Sequence, residues 1–355
     1  MPPLRLRTRP LKVNTIKSEK INRLLIFSTN WIGDAVMTTP ALAAVRSTFF
    51  RAEITLVGNP TMAELFRHHP HLDTILVYDK KAQHRGIAGF ARFCRQLRRQ
   101  KFDLAIFFQN AFKAALTAKL AGVPLRAGYR TDGRGPLLSH AVSVGEMERR
   151  LHHTCYYLTM LKKLGIGGGD GLLALAVTEK ERAEARRRLG AGNFMAINPG
   201  ASYGAAKRWI PKRFALVGDR LAEEYGVRVV LTGGTGEKKI GQDIAEAMNS
   251  RPLNLIGLTT VRQMMAVISQ CRLLVTNDSG PMHVAAALGV PIVAVFGPTD
   301  PQTTSPLSDR SCIVRKEVAC APCLLRRCPI DHRCMQRIAV ADVMDGVAML
   351  MESSA

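Results

Sequence analysis

Acidic residues are scarce in this 355-residue chain: 28 Asp and Glu stand against 50 Lys and Arg, a formal net charge of +22. Aromatic residues are few as well, at 6%, so a base-stacking surface of the kind that nucleic-acid modules use is not expected. No run approaches the ~20 apolar residues that a bilayer-spanning helix needs. The longest candidate, Val284 to Phe296, is broken by Gly289 and Pro291 and reads as helix, turn and strand. A Gly-x-Gly-x-x-Gly fingerprint is missing after the first strand, so a nucleotide is not expected to bind the first half. No Asp-x-Asp pair occurs, which removes the usual carboxylate clamp for a divalent metal on a diphosphate. The basic N-terminus (Arg5, Arg7, Arg9, Lys12, Lys17, Lys20) has no apolar core ahead of a cleavage site and does not read as a secretory signal. A cytosolic location is therefore expected.

What is abundant is positive charge, and it is uneven. Residues 1–177 hold 27 Lys and Arg against 11 Asp and Glu, near +16, which leaves near +6 for the rest. Such a balance implies a polyanionic partner, either an anionic membrane surface, a phosphorylated substrate or nucleic acid, with a merely solubilising surface as the plain alternative. An apolar content of 47% is ordinary for a globular protein, and the length exceeds one compact core. Two domains are expected.

From Arg23 onward short β-branched runs alternate with longer amphipathic ones. Strands are predicted at Leu24–Ser28, Ile54–Val57, Thr74–Tyr78 and Leu104–Phe108, with helices such as Asp34–Thr48 and Ile87–Gln100 between them. A second series is predicted at Phe194–Asn198, Arg228–Thr232, Leu253–Ile256, Arg272–Thr276 and Ile292–Phe296. Two βαβ series mean two parallel sheets, each covered by helices. The glycine-rich stretch 165–171 reads as the hinge. The expected division is a basic tail over 1–20, a first domain over 21–175, a second over 176–337, and a closing helix within 338–355 that packs back on the first domain.

Three polar clusters fall at predicted strand ends, and a fourth stretch is the most informative. Thr276-Asn277-Asp278-Ser279-Gly280-Pro281-Met282-His283 joins a buried strand to an Ala-rich helix. Unpaired amides and the positive end of the helix dipole converge there, so it suits a nucleotide diphosphate, with His283 one turn further in. Asn30, Trp31, Gly33 and Asp34 follow the first strand; Gly33 permits a tight turn. Asp34 is either a helix cap or a general base held ionised by the dipole. Asn198 to Gly204 with Lys207 is either an ordinary turn or a loop that wraps a pyrophosphate, Ser202 donating and Lys207 neutralising the leaving group. Thr232 to Glu237 places an acid where ribose hydroxyls are commonly held.

The cysteines set a separate question. Cys320, Cys323, Cys328 and Cys334, with His332 among them, have spacing compatible with a tetrahedral zinc site, or form a reduced Cys-rich loop near the interdomain cleft. Cys94, Cys155, Cys271 and Cys312 are scattered and read as packing residues.

In this order the clusters resemble the ADP-heptose:lipopolysaccharide heptosyltransferases, glycosyltransferase family 9, from about Asn22 onward. Trp31-Ile32-Gly33-Asp34 with Pro40-Ala41-Leu42, the 277–287 stretch, Phe296-Gly297-Pro298-Thr299 and Cys320-Ala321-Pro322-Cys323 carry the likeness. Trp31 and the Cys-rich loop look more like the type that adds the second heptose. The resemblance implies a GT-B fold, two facing Rossmann-like domains about a cleft. It implies inverting transfer from ADP-L-glycero-β-D-manno-heptose to the lipopolysaccharide inner core, with no cofactor or metal required. By the same likeness Asp34 is the base, Lys207 binds diphosphate, and Asp278, Ser279, Gly280 and His283 form the donor-binding segment. Glu237 corresponds to a ribose contact and Thr259 lies near adenine. A monomer, peripheral on the cytosolic face of the inner membrane and with no nucleic-acid partner, is expected. The alternatives are a transferase for another nucleotide-activated sugar of the cell envelope, and a non-catalytic polyanion- or RNA-binding protein.

Overall fold

A computed structural model describes residues 15–352; most of the basic tail expected over 1–20 lies outside the described residues. The first series opens with β1 (Arg23–Phe27), α1 (Ile32–Met37), α2 (Thr39–Thr48), β2 (Glu53–Gly58), α3 (Pro60–Leu65) and β3 (Thr74–Val77). It continues with α4 (Gly86–Arg99), β4 (Leu104–Phe107), α5 (Phe112–Leu120), β5 (Leu125–Tyr129), β6 (His140–Val142), α6 (Glu146–Arg150) and α7 (His153–Lys163). The second series begins α8 (Glu179–Leu189), β7 (Phe194–Asn198), α9 (Pro211–Tyr225), β8 (Arg228–Leu231), α10 (Lys238–Ala247) and β9 (Leu253–Asn254). Then come α11 (Val261–Ile268), β10 (Leu274–Asn277), α12 (Gly280–Ala287), β11 (Ile292–Val295) and α13 (Pro301–Thr304). The chain closes with β12 (Ser311–Val314), α14 (Arg333–Gln336) and α15 (Val340–Glu352).

Both sheets are six-stranded and parallel, ordered β3-β2-β1-β4-β5-β6 and β12-β11-β10-β7-β8-β9. Counted from its own first strand, the second repeats the order of the first. In each, the direction of winding reverses beside the first strand, between β1 and β4 and between β7 and β10. Ligands of open α/β sheets sit at the carboxyl ends of the strands next to that reversal. The central strands have no polar face: Leu24, Leu25, Ile26, Leu104, Ala105 and Ile106 are fully buried, as are Met195, Ala196, Ile197, Leu274 and Val275. Burial on both faces is what a helix-covered parallel sheet requires.

Four features depart from the sequence expectations. The helix expected over Asp34–Thr48 is two helices, because Pro40 has no N–H to donate to Val36. Thr39 Oγ1 takes that carbonyl instead at 2.8 Å, and Thr38 Oγ1 bonds Ala35 O at 2.7 Å. Strands β5, β6 and β12 were not anticipated; Arg126 and Gly128 blur the apolar signal of β5, and β6 has only three residues. The glycine stretch 165–171 lies along α2, where Gly167 exchanges bonds with Thr48 Oγ1, and Gly168 and Gly169 take positive φ against Ser47 and Ala43.

The closing helix also goes elsewhere than expected. It packs on the second sheet, against β11, β12 and α9, and not on the first domain. Its stripe of Val343, Met344, Val347 and Leu350 completes the core that holds Met195 and Phe214. Trp209 Nε1 and the Arg213 guanidinium both donate to Ile338 O and fix its approach.

Candidate active site

The two sheets meet through their helix starts. α1 packs on α12 and α3 packs on α11. A Cβ added to Gly33 would lie 2.9 Å from Cδ2 of His283, and one added to Gly280 would lie 2.9 Å from Ile32 Cβ. Each glycine is thus required by close approach of the facing helix, and Gly33 serves this contact inside α1 and not a tight turn. Three polar links tie the same halves together. Glu64 Oε2 accepts from Val261 N at 3.0 Å, and Arg262 Nη1 donates to Arg67 O at 3.2 Å. His152 Nδ1 accepts from Thr154 N, so its proton sits on Nε2, which donates to Ser305 O at 2.9 Å.

On the first-sheet side, a cleft of about 370 Å³ opens at the ends of β1 and β4. Asn30, Trp31, Asp34, Gln109, Asn110, Glu148, Arg149, His153 and Tyr157 are among its lining residues, all from the first series. Asp34 is the third residue of α1 and caps nothing; Trp31 occupies the cap position without a side-chain bond. The Asp34 carboxylate instead meets His153 Nδ1 at 3.3 Å, both side chains remaining partly open to solvent. Asn30 Nδ2 donates to Gln109 Oε1 at 3.4 Å and Trp31 is half exposed.

Behind this cleft lies a fully buried arginine. Arg134 Nε donates to Tyr129 O at 2.8 Å, Nη2 to Asn110 Oδ1 at 3.0 Å, and Nη1 to Gln109 O. Burial lowers its pKa to about 10, so it stays charged at neutral pH with no carboxylate partner among the described residues. It fixes two lining residues and leaves a positive charge under the cleft.

On the second-sheet side, the ends of β7, β8 and β10 converge. Lys207 Nζ lies 2.6 Å from Asp278 Oδ2, with side chains only 12% and 4% exposed. Thr299 Oγ1 donates to the same oxygen at 2.6 Å. Ser279 precedes α12 and bonds Asn198 Oδ1 through Oγ at 3.1 Å, while Asn277 Nδ2 holds Pro199 O at 2.8 Å. The Glu237 carboxylate accepts from Gly234 N at 2.8 Å and lies against Gly200, where no Cβ would fit. Ser202 is exposed, and Thr259 follows β9 just before the cap of α11. His283 is buried with Nδ1 unpartnered; burial lowers its pKa to about 4, opposed by the charges of Asp278 and Asp34.

Seven of the residues singled out in the sequence therefore belong to the two sides that meet at the Gly33–His283 contact: Asp34 and Gly33 on one, Lys207, Asp278, Ser279, Gly280 and His283 on the other. Glu237, Ser202 and Thr259 lie further along the second-sheet edge. Sequence reading missed His152, His153 and Arg134, and gave Thr299 no role beyond its place in the Phe296-Gly297-Pro298-Thr299 likeness. A His-His pair opening a helix carries no motif, and a buried arginine is indistinguishable in sequence from a surface one.

The Cys-rich loop braces the lysine loop. Tyr203 OH donates to Leu324 O at 2.8 Å, Ala206 N to Arg326 O at 3.1 Å, and His332 Nε2 bonds Ala206 O at 2.7 Å. Cys320 and Cys323 are exposed, Cys328 is half-buried and Cys334 is buried, all as free thiols. Among the described residues no three His, Cys, Asp or Glu side chains are grouped to hold a metal ion.

Comparison with known proteins agrees with this arrangement. The family model "Glycosyltransferase family 9 (heptosyltransferase)" matches residues 90–333. The chain is 27% identical to lipooligosaccharide heptosyltransferase 2 of Campylobacter jejuni, over 92% of this chain and 99% of that protein. It is 28% identical to lipopolysaccharide heptosyltransferase 2 of Escherichia coli, covering 82% of this chain and 88% of that one. The solved E. coli ADP-heptose lps heptosyltransferase II superposes with a TM-score of 0.81 at 28% identity, over 94% of this chain and all of the other. The paired parallel sheets are of the GT-B kind, and the chain belongs to glycosyltransferase family 9, the heptosyltransferases, which makes it a glycosyltransferase.

Proposed function

We propose that the enzyme moves L-glycero-D-manno-heptose from its ADP-activated form to the inner core of lipopolysaccharide, setting the second heptose on the first. The relatives named above are heptosyltransferases of type 2, and the chain covers nearly all of their length. The observation that carries the mechanism is the facing of the two switch points across the Gly33–His283 contact, a carboxylate on one side and a buried lysine on the other.

In this reading the acceptor sugar occupies the cleft beside Trp31 and Asn110, above the charge of Arg134. Asp34 takes the proton of its hydroxyl as that oxygen bonds the anomeric carbon. The bond from that carbon to the diphosphate breaks on the opposite face, so configuration inverts and ADP departs. Lys207 and the start of α12 stabilise the departing diphosphate, with Ser279, Gly280 and His283 beside it and Ser202 on the lysine loop. Glu237 takes the ribose hydroxyls, and Thr259 stands near the adenine. With no Asp-x-Asp pair in the sequence to hold a metal on the diphosphate, Lys207, the amides and the helix dipole balance its charge in this reading, which is metal-independent. The enzyme works as a monomer, peripheral on the cytosolic face of the inner membrane; no helix among the described residues is long and apolar enough to cross it.

The test is transfer from ADP-heptose to a heptosylated core acceptor, with product followed by mass spectrometry, alongside calorimetric titration of ADP, UDP and GDP. Preference for UDP or GDP would overturn the donor. Loss of turnover in a chelator, restored by one metal, would overturn the metal-free mechanism.

A further inference from the structure

Half of the charge excess of the first half comes from 22 residues. Between Lys80 and Lys101 the chain has eight basic residues and no acidic one: Lys80, Lys81, Arg85, Arg92, Arg95, Arg98, Arg99 and Lys101. All eight are exposed, and none joins an ion pair among the described residues. The two acids that bracket the run are engaged by backbone amides and not by its basic side chains. Asp79 accepts from Lys81 N and Ala82 N, and Asp103 from Asn22 N and Arg23 N. α4 buries Gly89, Phe93, Cys94 and Leu97 on one side, and its other side carries Ile87, Arg92, Arg95, Arg98 and Arg99.

This placement costs the isolated protein stability. Arg85 is the N-cap of α4, at the positive end of the helix dipole, with Lys80 and Lys81 just ahead of it. Arg92, Arg95 and Arg99 are spaced three and four apart, so like charges stack along one face. Only Arg98 and Arg99 suit the dipole at the C-terminal end. An arrangement that repels itself in water is relieved by an external anion. The face is the convex side of a helix, so that anion is an extended surface and not a small ligand. Ile87 is 87% exposed at the start of α4, and Phe112, 47% exposed, starts the neighbouring α5. Phe112 stands two residues beyond Asn110, which with Gln109 lines the acceptor cleft. Apolar tips at one end of a basic face are what an interfacial helix offers to a bilayer.

We propose that the outer face of α4, with Ile87 and Phe112 at its cleft end, docks the enzyme on an anionic membrane and presents the cleft to a lipid-anchored acceptor. The second clause rests on the transferase reading above; the first does not. Arg92→Gln/Arg95→Gln/Arg99→Gln and Ile87→Ser are the variants, tested by co-sedimentation with vesicles of phosphatidylethanolamine and phosphatidylglycerol against phosphatidylcholine alone. Wild type should bind only the anionic vesicles and release in high salt. At about fivefold per charge, the triple variant should bind on the order of 100-fold more weakly. Its melting temperature should hold or rise, because self-repulsion is reduced. It should keep transfer to a delipidated, water-soluble acceptor while losing transfer to vesicle-embedded acceptor. Equal binding of wild type and triple variant, or wild-type preference for RNA over vesicles, would overturn the docking face. Failure of every protein to transfer heptose, with vesicle binding still dependent on α4, would refute the transferase reading and uphold the docking face.

Discussion

The imidazole of His283 fills the space that a side chain at residue 33 would need, so Gly33 and His283 together set how closely the two domains approach. Asp34 is the next residue along, and its distance from the donor wall is inherited from that contact. Gly33→Ala should hold the halves apart. Transfer is expected to fall about 10²-fold, the scale of an ångström's misplacement at a reacting centre. ADP affinity should fall far less than transfer, because His283 alone of the nucleotide wall meets the added methyl. Small-angle scattering with kinetics checks this; a variant as compact and as active as wild type would contradict it.

Asp34→Asn removes the proposed proton acceptor and should leave the fold intact. We expect kcat to drop by ~10²–10⁴ with calorimetric ADP binding preserved. His153 meets the carboxylate at 3.3 Å, so His153→Gln should lower kcat, by less than Asp34→Asn does. An unchanged kcat would make His153 a bystander.

Lys207 and Asp278 form a nearly enclosed pair. Lys207→Met strands a buried carboxylate and should cost roughly 3–5 kcal/mol in thermal or urea unfolding. Adding Asp278→Asn should restore much of that stability. ADP affinity should stay low in the double variant while adenosine binding survives. Recovery of both properties together would mean that Lys207 does not contact phosphate.

Acid should weaken the fold through its buried histidines. His283 is held near 4 against an ordinary 6.5, and His69 near 3, in both cases mainly by desolvation. The unfolded chain therefore takes up these protons first as pH falls. Their contribution is complete above about 6.5 and is lost on the way down to the folded values, roughly 3 kcal/mol for His283. Unfolding followed from about pH 7 to about pH 5 should show falling stability, with a shallower slope in His283→Gln. Identical slopes would place the proton on His283 already in the folded state.

Much of this was readable before any coordinates. Short apolar or β-branched runs marked nine of the twelve strands; in seven the strand is buried on both faces and has almost no polar position to confuse it, while β3 and β9 are half-buried edge strands. Strand ends then placed Asp34, Lys207, Glu237 and Asp278 at two sheet edges. What sequence could not supply was how one domain faces the other. The reason for Gly33 and the partner of Asp34 depend on contacts between segments more than a hundred residues apart, and the destination of α15 on packing against β11, β12 and α9. Arg134 was invisible for a different reason: its acceptors are backbone carbonyls and an amide, which leave no trace in residue type.

In the mechanism proposed above, Asp278 bears on turnover as well as on binding. As ADP left, the ammonium of Lys207 would return to the fixed anion that it meets at 2.6 Å, instead of waiting bare in a dry wall. The nucleotide would then compete with that resident carboxylate on every cycle, so the group proposed to draw the product in would also carry the means of letting it go.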